Sequence, residues 1–164
     1  MRLSSLADYA IVVMSAAARA DDARVSATDI AVQTGVPLPT AQKLLGRLAG
    51  AGLLDSARGT AGGFALARPA EKISLADIVE AVEGPIAMTA CVEEGEGRHD
   101  CALESSCRVR PHWGAVNGAI RGALAGVTLT SLSQETPPPP FIASEVEGSR
   151  DVSRLGSTRT DFVQ

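Results

Sequence analysis

The sequence predicts a mainly α-helical fold with one small β-hairpin. Apolar residues recur at spacings of three and four in several stretches, which is typical of the buried face of a helix. Only 3% of the residues are aromatic in a chain that is 45% hydrophobic, so the core must be built from Ala, Leu, Val and Ile. Two short stretches of alternating residues flank the glycine-rich "RGTAGG", and they indicate the hairpin.

Three helices are predicted in the first part of the chain, over residues 4–19, 27–35 and 36–52. Ser26 is a typical N-cap for the second helix, and Gly35 is a typical residue at which such a helix ends. The first and third helices are defined by apolar stripes that should face the core. These stripes are formed by Leu6, Ala10, Val13, Met14 and Ala17 in the first helix, and by Ala41, Leu44, Leu45 and Leu48 in the third.

The hairpin comes directly after the third helix. Its strands are predicted at residues 53–57 and 64–67, and the glycines of the turn between them tolerate positive φ. Ser74 is then placed to begin a helix over residues 75–84, which Gly84 and Pro85 end. A helix, a short helix, a further helix after a tight turn and then a hairpin form the order of a winged helix-turn-helix.

The remainder of the chain is predicted to contain one long helix and an unstructured tail. The helix is rich in small residues, covers about residues 111–125, and is followed by a short turn that Thr128 could cap. From residue 135 onward, four consecutive prolines and a mixture of polar residues show no periodicity, so we expect residues 135–164 to be disordered.

Charge is unevenly distributed along the chain, whose net charge is −4. Residues 1–70 carry seven Lys/Arg and five Asp/Glu, or +2. Residues 71–134 carry five and nine, or −4, and residues 135–164 carry three and five, or −2. Any contact with DNA is therefore expected from the first 70 residues.

Five polar residues are candidates for that contact. The second helix of a helix-turn-helix enters the major groove, where Gln can read adenine and Lys can read guanine. Gln42 and Lys43 would make such base contacts, Thr40 could touch a phosphate or a thymine methyl, and Arg47 would meet a phosphate. Arg58 begins the turn of the hairpin, and an arginine there can enter a narrow minor groove. The alternative for each residue is an ordinary solvated side chain.

All three cysteines and both histidines lie between residues 89 and 113. The cysteines are spaced Cys91-x9-Cys101-x5-Cys107, without the C-x2-C spacing of an ordinary zinc ribbon. Iron–sulfur ligation tolerates varied spacing, so three thiolates could hold a cluster. The alternative is three reduced surface thiols. No Ser/His/Asp or Cys/His catalytic set is evident, and we expect no enzymatic activity.

A closed metal site needs a fourth ligand, for which the residues leave three candidates. His112 lies five residues after Cys107, His99 lies two residues before Cys101, and Asp8 lies far away in the first helix. Local spacing slightly favours a histidine. Asp8 would have to approach from another region of the fold or from a second subunit.

Several motifs in order resemble the IscR/NsrR-type winged-helix transcription regulators, and among them the branch that regulates SUF iron–sulfur assembly operons. The resemblance covers residues 1 to about 134 and leaves the tail uncovered. It is carried by "MRLSSLADYA", "LPTAQKLLGRLAGAGLL", "RGTAGGFALARP", "ISLADIVEAVEGP" and the three-cysteine segment followed by a tryptophan.

The resemblance implies a homodimer that binds double-stranded operator DNA. Three regions follow from it: a winged helix-turn-helix domain at 1–84, a cluster-binding loop at 85–110 and a dimerisation helix at 111–134. The disordered tail at 135–164, predicted from its composition, is the fourth region. Recognition-helix contacts carry over to Thr40, Gln42 and Lys43, and the wing contact carries over to Arg58.

The resemblance also implies an iron–sulfur cluster held by Cys91, Cys101 and Cys107, for which we expect [2Fe–2S] in preference to [4Fe–4S]. Family members with a histidine ligand carry it three residues after the last cysteine, where this chain has Arg110. His112 is therefore not that residue by position. An aspartate in the first helix completes the site in NsrR-type members, and Asp8 matches it. The resemblance thus favours Asp8, donated by the partner subunit, over His112 and His99.

The sequence therefore predicts a cytoplasmic regulator, with no membrane span, that represses suf-type genes under control of a cluster. Two alternatives stay open: a winged-helix regulator that senses oxidation through zinc or bare thiols, and an iron–sulfur or redox module that does not bind DNA. A cytoplasmic chain keeps its thiols reduced, which favours ligands or redox groups over structural disulfides.

Overall fold

The computed structural model describes residues 3–20, 23–59, 62–89 and 107–134. The tail at 135–164, together with Cys91, His99 and Cys101, lies outside the described residues. In chain order the elements are α1 (Ser5–Ala18), α2 (Ala27–Thr34), α3 (Leu38–Gly50), β1 (Leu54–Ala57), β2 (Gly63–Leu66), a 3₁₀ turn (Ala70–Lys72), α4 (Leu75–Glu83), α5 (Arg110–Ala125) and α6 (Leu129–Ser133).

The helix ends follow from local side-chain chemistry. Ser26 and Asp29 form a reciprocal capping box at the start of α2, in which the Ser26 Oγ accepts from the Asp29 N–H. Gly35 ends α2 in the left-handed region, with φ 72°. Ser74 and Asp77 form the same box at α4. Because these contacts are local, the sequence predictions for these helices are confirmed to within about two residues.

One apolar core joins the helices of the winged helix-turn-helix. The stripe predicted for α3 is fully buried, and α1 packs against α2, α3, α4 and α6. The largest side chains in this core are Met14, Ile30, Leu44, Leu45, Leu48, Leu54, Ile73, Ile78, Leu129 and Val13, each less than 2% exposed. Aliphatic side chains thus form the core, as the composition predicts.

The hairpin is a two-stranded antiparallel sheet in which Leu54 pairs with Leu66 and Ala57 pairs with Gly63. Val25, just before α2, adds an isolated bridge to Phe64 through two backbone hydrogen bonds of 2.9 Å. Gly63 has φ 139°, and a Cβ there would lie 2.7 Å from the Val25 carbonyl oxygen. Strand β2 of the hairpin is therefore fixed against the chain that enters α2.

The chain returns to the winged helix after α5. The Leu129 N–H donates to the Ile73 carbonyl at 2.7 Å, and the Leu75 N–H donates to the Val127 carbonyl at 2.8 Å. Leu129 is fully buried in the common core. The predicted region boundaries stay predictions, but α6 packs on the same core as α1.

The predicted fold class, mainly helical with a small hairpin in a winged helix-turn-helix order, is confirmed. None of the helices within the described ranges is both long and apolar enough to span a membrane.

Candidate nucleic-acid interface and metal-ligand residues

The outer face of α3 is polar and exposed because its other face is fully buried. Gln42, Lys43 and Arg47 are exposed, whereas Thr40 is half-buried. Gly46 lies between them on the same face, three residues after Lys43 and four after Gln42. A Cβ at Gly46 would meet no atom within 4 Å. This face can therefore approach a flat or grooved partner closely.

The wing projects from the end of α3 and carries Arg58 at its exposed edge. Gly59 has φ 103°, and a Cβ on Gly62 would lie 2.4 Å from the Ala57 carbonyl oxygen. Both positions therefore need glycine. Below this turn, Arg24 Nη1 donates to the carbonyls of Asp55 on β1 and Gly63 on β2, each at 3.2 Å. The backbone of the wing is thus set by glycine conformation and by Arg24.

Arg47 also forms a hydrogen bond within the fold that its spacing in the sequence does not reveal. Its Nη1 donates to the Val82 carbonyl at 2.9 Å, near the C-terminal end of α4. The last carbonyls of a helix lack intrahelical partners, so this guanidinium satisfies one of them. Its other N–H groups are not used in that bond, which leaves donors for a phosphate.

The candidate metal ligands within the described residues lie on different elements. Cys107 is half-buried, is not part of a disulfide, and lies just before α5. His112 is exposed in the first turn of α5, and Asp8 is exposed in the first turn of α1. Asp8 borders a cavity of about 370 Å³ that is also lined by Leu3, Ser4 and Ser5. Within the described ranges no three His, Cys, Asp or Glu side chains are grouped as metal ligands would be.

The donor chemistry fits an iron–sulfur cluster. Three thiols supply the soft ligands that clusters require, and the Asp8 carboxylate would supply a harder oxygen ligand. Cys107 is not in a disulfide, so its sulfur is available to bind as a thiolate. The Asp8 carboxylate forms no hydrogen bond or ion pair with the residues that the structure describes.

Polar contacts of Arg121 and Asn117 hold α5 beside the segment that leaves α4. Arg121 on α5 donates to Glu80 on α4 through Nε at 2.8 Å and through Nη2 at 3.1 Å. The Asn117 side-chain oxygen accepts from the Met88 N–H at 3.1 Å. Met88 lies three residues before Cys91, so the entry to the cysteine segment is held against α5.

Among the described residues, Asp77 at the start of α4 is the one whose pKa is clearly shifted. Partial burial alone would raise the pKa of Asp77, but hydrogen bonds from the Ser74 N–H and Oγ, both 2.8 Å, act in the opposite direction. The positive charges of Arg68, whose Nη2 lies 3.3 Å from Oδ2, and of Arg121 add to them. The net effect lowers the pKa of Asp77 below 3.8, so this carboxylate stays ionised near neutral pH.

Sequence reasoning missed the residues whose partners are far away in the chain. Arg24 contacts residues 31 and 39 positions distant, and Asn117 contacts a residue 29 positions distant. Arg24 carries no sequence signal that separates it from a solvated cation. Asn117 does carry one, because it is a lone amide in a helix otherwise rich in Gly and Ala.

A helix-turn-helix with an exposed polar helix α3, followed by a glycine-rich wing, defines a winged-helix DNA-binding protein of the transcription-regulator class. The chain belongs to the Rrf2 family. That family, described as iron-dependent transcriptional regulators, matches residues 3–135. The resemblance to IscR/NsrR-type regulators is thereby confirmed.

Named relatives agree with the family. The chain is 31% identical to the HTH-type transcriptional regulator IscR of Photobacterium profundum, over 99% of this chain and 90% of that protein. It is 34% identical to protein aau3 of Rhizobium meliloti, over 84% of this chain and 88% of that protein. The first relative is named as a transcriptional regulator, and the name of the second states no activity. Neither is named as an enzyme.

Solved structures also share the fold. CymR of B. subtilis, titled the global cysteine regulator, superposes with a TM-score of 0.62 at 26% identity, over 83% of this chain and 98% of that one. IscR of T. potens superposes with a TM-score of 0.56 at 27% identity, over 79% of this chain and 84% of that one. The likeness therefore extends over most of each chain.

Proposed function

We propose that this chain is a homodimeric repressor of suf-type iron–sulfur assembly genes, whose operator affinity depends on a bound iron–sulfur cluster. The observation that carries the proposal is the position of the three cysteines. All three lie between the end of α4, in the winged helix, and the start of α5. A sensor segment at that point joins the DNA-reading unit to the long helix. The protein would act in the cytoplasm, where thiols stay reduced.

The proposed DNA contacts follow the exposed face of α3 and the wing. Gln42 and Lys43 read base edges in the major groove, and half-buried Thr40 contacts the adjacent phosphate or a thymine methyl. Arg58 enters the minor groove from the wing. Arg47 donates to a phosphate through the N–H groups that do not bond Val82.

The proposed ligands are Cys91, Cys101 and Cys107, with Asp8 of the partner subunit as the fourth and His112 or His99 as alternatives. We expect a [2Fe–2S] cluster in preference to [4Fe–4S]. When bound, the cluster would link the cysteine segment to the first turn of α1 in the partner subunit. That link would be sensitive to iron supply and oxidants. Asp8 supports this assignment because it is exposed, and a carboxylate is a more labile ligand for iron than a thiolate.

The proposed dimer contact is α5. Residues 112–125 include no buried side chain, and a stripe of half-buried residues on one face packs toward α4. The remaining face is exposed yet small and apolar, including Ala115, Val116, Ala119 and Ala123. Small residues allow two helices to approach closely, and a two-fold dimer would read a near-palindromic operator.

Anaerobic reconstitution tests the ligand assignment. Iron, sulfide and the visible spectrum are measured for the parent and for Cys91→Ala, Cys101→Ala, Cys107→Ala and Asp8→Ala. The cysteine variants should lose the cluster, and Asp8→Ala should hold it less firmly. His112→Ala is the matched control for Asp8 and should retain it. Full retention by the three cysteine variants would remove the site assignment.

Operator binding tests the DNA contacts. Arg58→Ala and Gln42→Ala should each lose discrimination at particular base pairs, by about 1–3 kcal/mol for each contact. Arg47→Ala should instead weaken binding to all sequences and flatten the salt dependence. Lys72→Ala, an exposed cation of the 3₁₀ turn, is a control for net charge. Equal operator binding by Arg58→Ala and the parent would remove the wing from the proposal.

A second candidate is a thiol-based or zinc-based redox sensor on the same DNA-binding scaffold. It is favoured by the free, half-buried thiol of Cys107 and by the likeness to the S. aureus CymR structure titled as an oxidised form, with a TM-score of 0.60. Protein isolated without iron or sulfide, but with operator binding that responds to oxidant or zinc, would favour this candidate. A cluster-bearing protein that binds no DNA would favour an iron–sulfur module.

A further inference from the structure

The C-terminal end of α4 contacts both the recognition helix α3 and the first turn of α1. We infer that Arg47 is a positioning residue which, through Val82 and Glu83, couples the tilt of α3 to the end of α1 that carries Asp8. This inference rests on the proposed function, because it names the path by which the cysteine segment would control DNA binding. It adds a role for Arg47 that does not require a phosphate.

The first half of this path is the bond between Arg47 and α4. Arg47 lies in the last turn of α3 and donates to the Val82 carbonyl at 2.9 Å. A guanidinium at a helix C-terminus is favoured by the helix dipole and also satisfies an orphan carbonyl. The bond is directional, so a shift of the last turn of α4 would pull on α3.

The second half of the path joins α4 to α1 one residue later. The Ser4 hydroxyl donates to the Glu83 carboxylate. The Ser4 Oγ also accepts from the N–H groups of Leu6 and Ala7, and its carbonyl accepts from the Asp8 N–H at 3.1 Å. Ser4 is therefore both the cap of the α1 turn that contains Asp8 and the partner of α4.

The cysteine segment departs from this same point. Gly84, directly after α4, has φ 91°, and the chain continues through residues 85–89 toward Cys91. A cavity of about 310 Å³ lies under this stretch and is lined by Leu3, Glu83 and residues 84–88. Leu3 also lines the cavity beside Asp8. The segment thus has space to shift, and its shift would act on Glu83 and Val82 first.

Glu83→Ala tests the path without touching a proposed DNA contact. Glu71→Ala removes an equal charge from an exposed carboxylate of the 3₁₀ turn and is the matched control. Operator affinity is measured for cluster-loaded and cluster-free protein, and the ratio of the two is compared. Couplings between sites commonly amount to about 5- to 150-fold. We expect the affinity ratio of Glu83→Ala to be about fivefold or more smaller than that of the parent, and the ratio of Glu71→Ala to equal that of the parent.

The variant Arg47→Met tests whether the effect of Glu83→Ala depends on Arg47. If the path runs through Arg47, Glu83→Ala should have no further effect on the ratio in the Arg47→Met background. In the cluster-free protein, Glu83→Ala should also speed amide hydrogen exchange in the last turn of α3, and Glu71→Ala should not. An unchanged ratio in Glu83→Ala, with a parent that does respond to its cluster, would overturn this inference alone. A parent whose affinity ignores the cluster would overturn the proposed function and this inference with it.

Discussion

The guanidinium of Arg121 on α5 meets the carboxylate of Glu80 on α4 in a two-point contact, with Nε–Oε1 at 2.8 Å and Nη2–Oε2 at 3.1 Å. The Arg121 side chain is 51% exposed and that of Glu80 is 25% exposed. Such two-point geometry orients one helix on another more firmly than a single ion pair does. Together with the bond from the Met88 N–H to Asn117, it holds α5 beside the entry to the cysteine segment.

We expect the Arg121–Glu80 pair to contribute about 0.5–1 kcal/mol, because solvent screens exposed ion pairs. Arg121 also lowers the pKa of Asp77, so the single variant Arg121→Ala would mix two effects. A double-mutant cycle of Arg121→Ala and Glu80→Ala isolates the pair. The measurement is urea unfolding at one fixed protein concentration, and additive losses would show that the pair adds nothing.

Replacing Gly46 by alanine should make the protein more stable and a weaker operator binder. A Cβ at Gly46 meets nothing, so the helix should gain about 0.5–1 kcal/mol. The methyl group would, however, stand between Gln42 and Lys43 on the face proposed to enter the groove. Thermal unfolding and operator titration measure the two effects.

Gly50→Ala is the control for Gly46. Gly50 is also exposed, has equally open surroundings, and lies about 6 Å farther along α3. It should gain similar stability without losing operator affinity. Undiminished DNA binding by Gly46→Ala would mean that this part of α3 does not approach DNA closely.

Gly63→Ala should destabilise the wing more than a change at an ordinary left-handed glycine. A Cβ at Gly63 would lie 2.7 Å from the Val25 carbonyl oxygen and would also sit at φ 139°. Gly52 has φ 73° but open surroundings, so Gly52→Ala should cost only the conformational strain of about 1 kcal/mol. We expect about 2–3 kcal/mol for Gly63→Ala in denaturant titration. Equal costs for the two variants would contradict the close approach to Val25.

Acid should remove the stability that the Asp77 charge contributes. The pKa of Asp77 is lower in the folded state than its ordinary value of 3.8, so the unfolded chain binds the proton more readily. The contribution is complete well above the ordinary pKa of 3.8 and is lost as pH falls through the folded-state pKa. Asp77→Asn should therefore be less stable than the parent near neutral pH, and this gap should narrow below about pH 4.

Thermal unfolding across that range measures the effect of Asp77. Asp55→Asn is the control, because the Asp55 carboxylate receives no hydrogen bond from the described residues. A gap between parent and Asp77→Asn that stays constant down to pH 2 would show that the charge of Asp77 has no such role.

Local patterns predicted most of this fold because local physics sets it. The cap at Ser26, the end at Gly35 and the buried stripe of α3 are all readable within four residues of sequence. The contacts that organise the candidate site are different in kind. Arg47 and Val82 are 35 residues apart, and Ser4 and Glu83 are 79 residues apart. No periodicity encodes such pairs, so the sequence predicted only a phosphate contact for Arg47.

The candidate metal site was predicted from residue types, and its assembly stays a prediction. Cys107 and Asp8 lie within the described residues, on the approaches to α5 and in α1, whereas Cys91 and Cys101 lie outside them. Thr40, predicted to touch a phosphate or a thymine methyl, is half-buried at the start of α3, which its residue type did not indicate.

The most direct test of the account is operator affinity measured on protein purified and handled without oxygen, before and after its iron is removed. We expect coloured protein that contains iron and sulfide and whose affinity for its own promoter region changes when they are removed. Colourless, iron-free protein that binds that promoter fully, with no response to reconstitution, would contradict it.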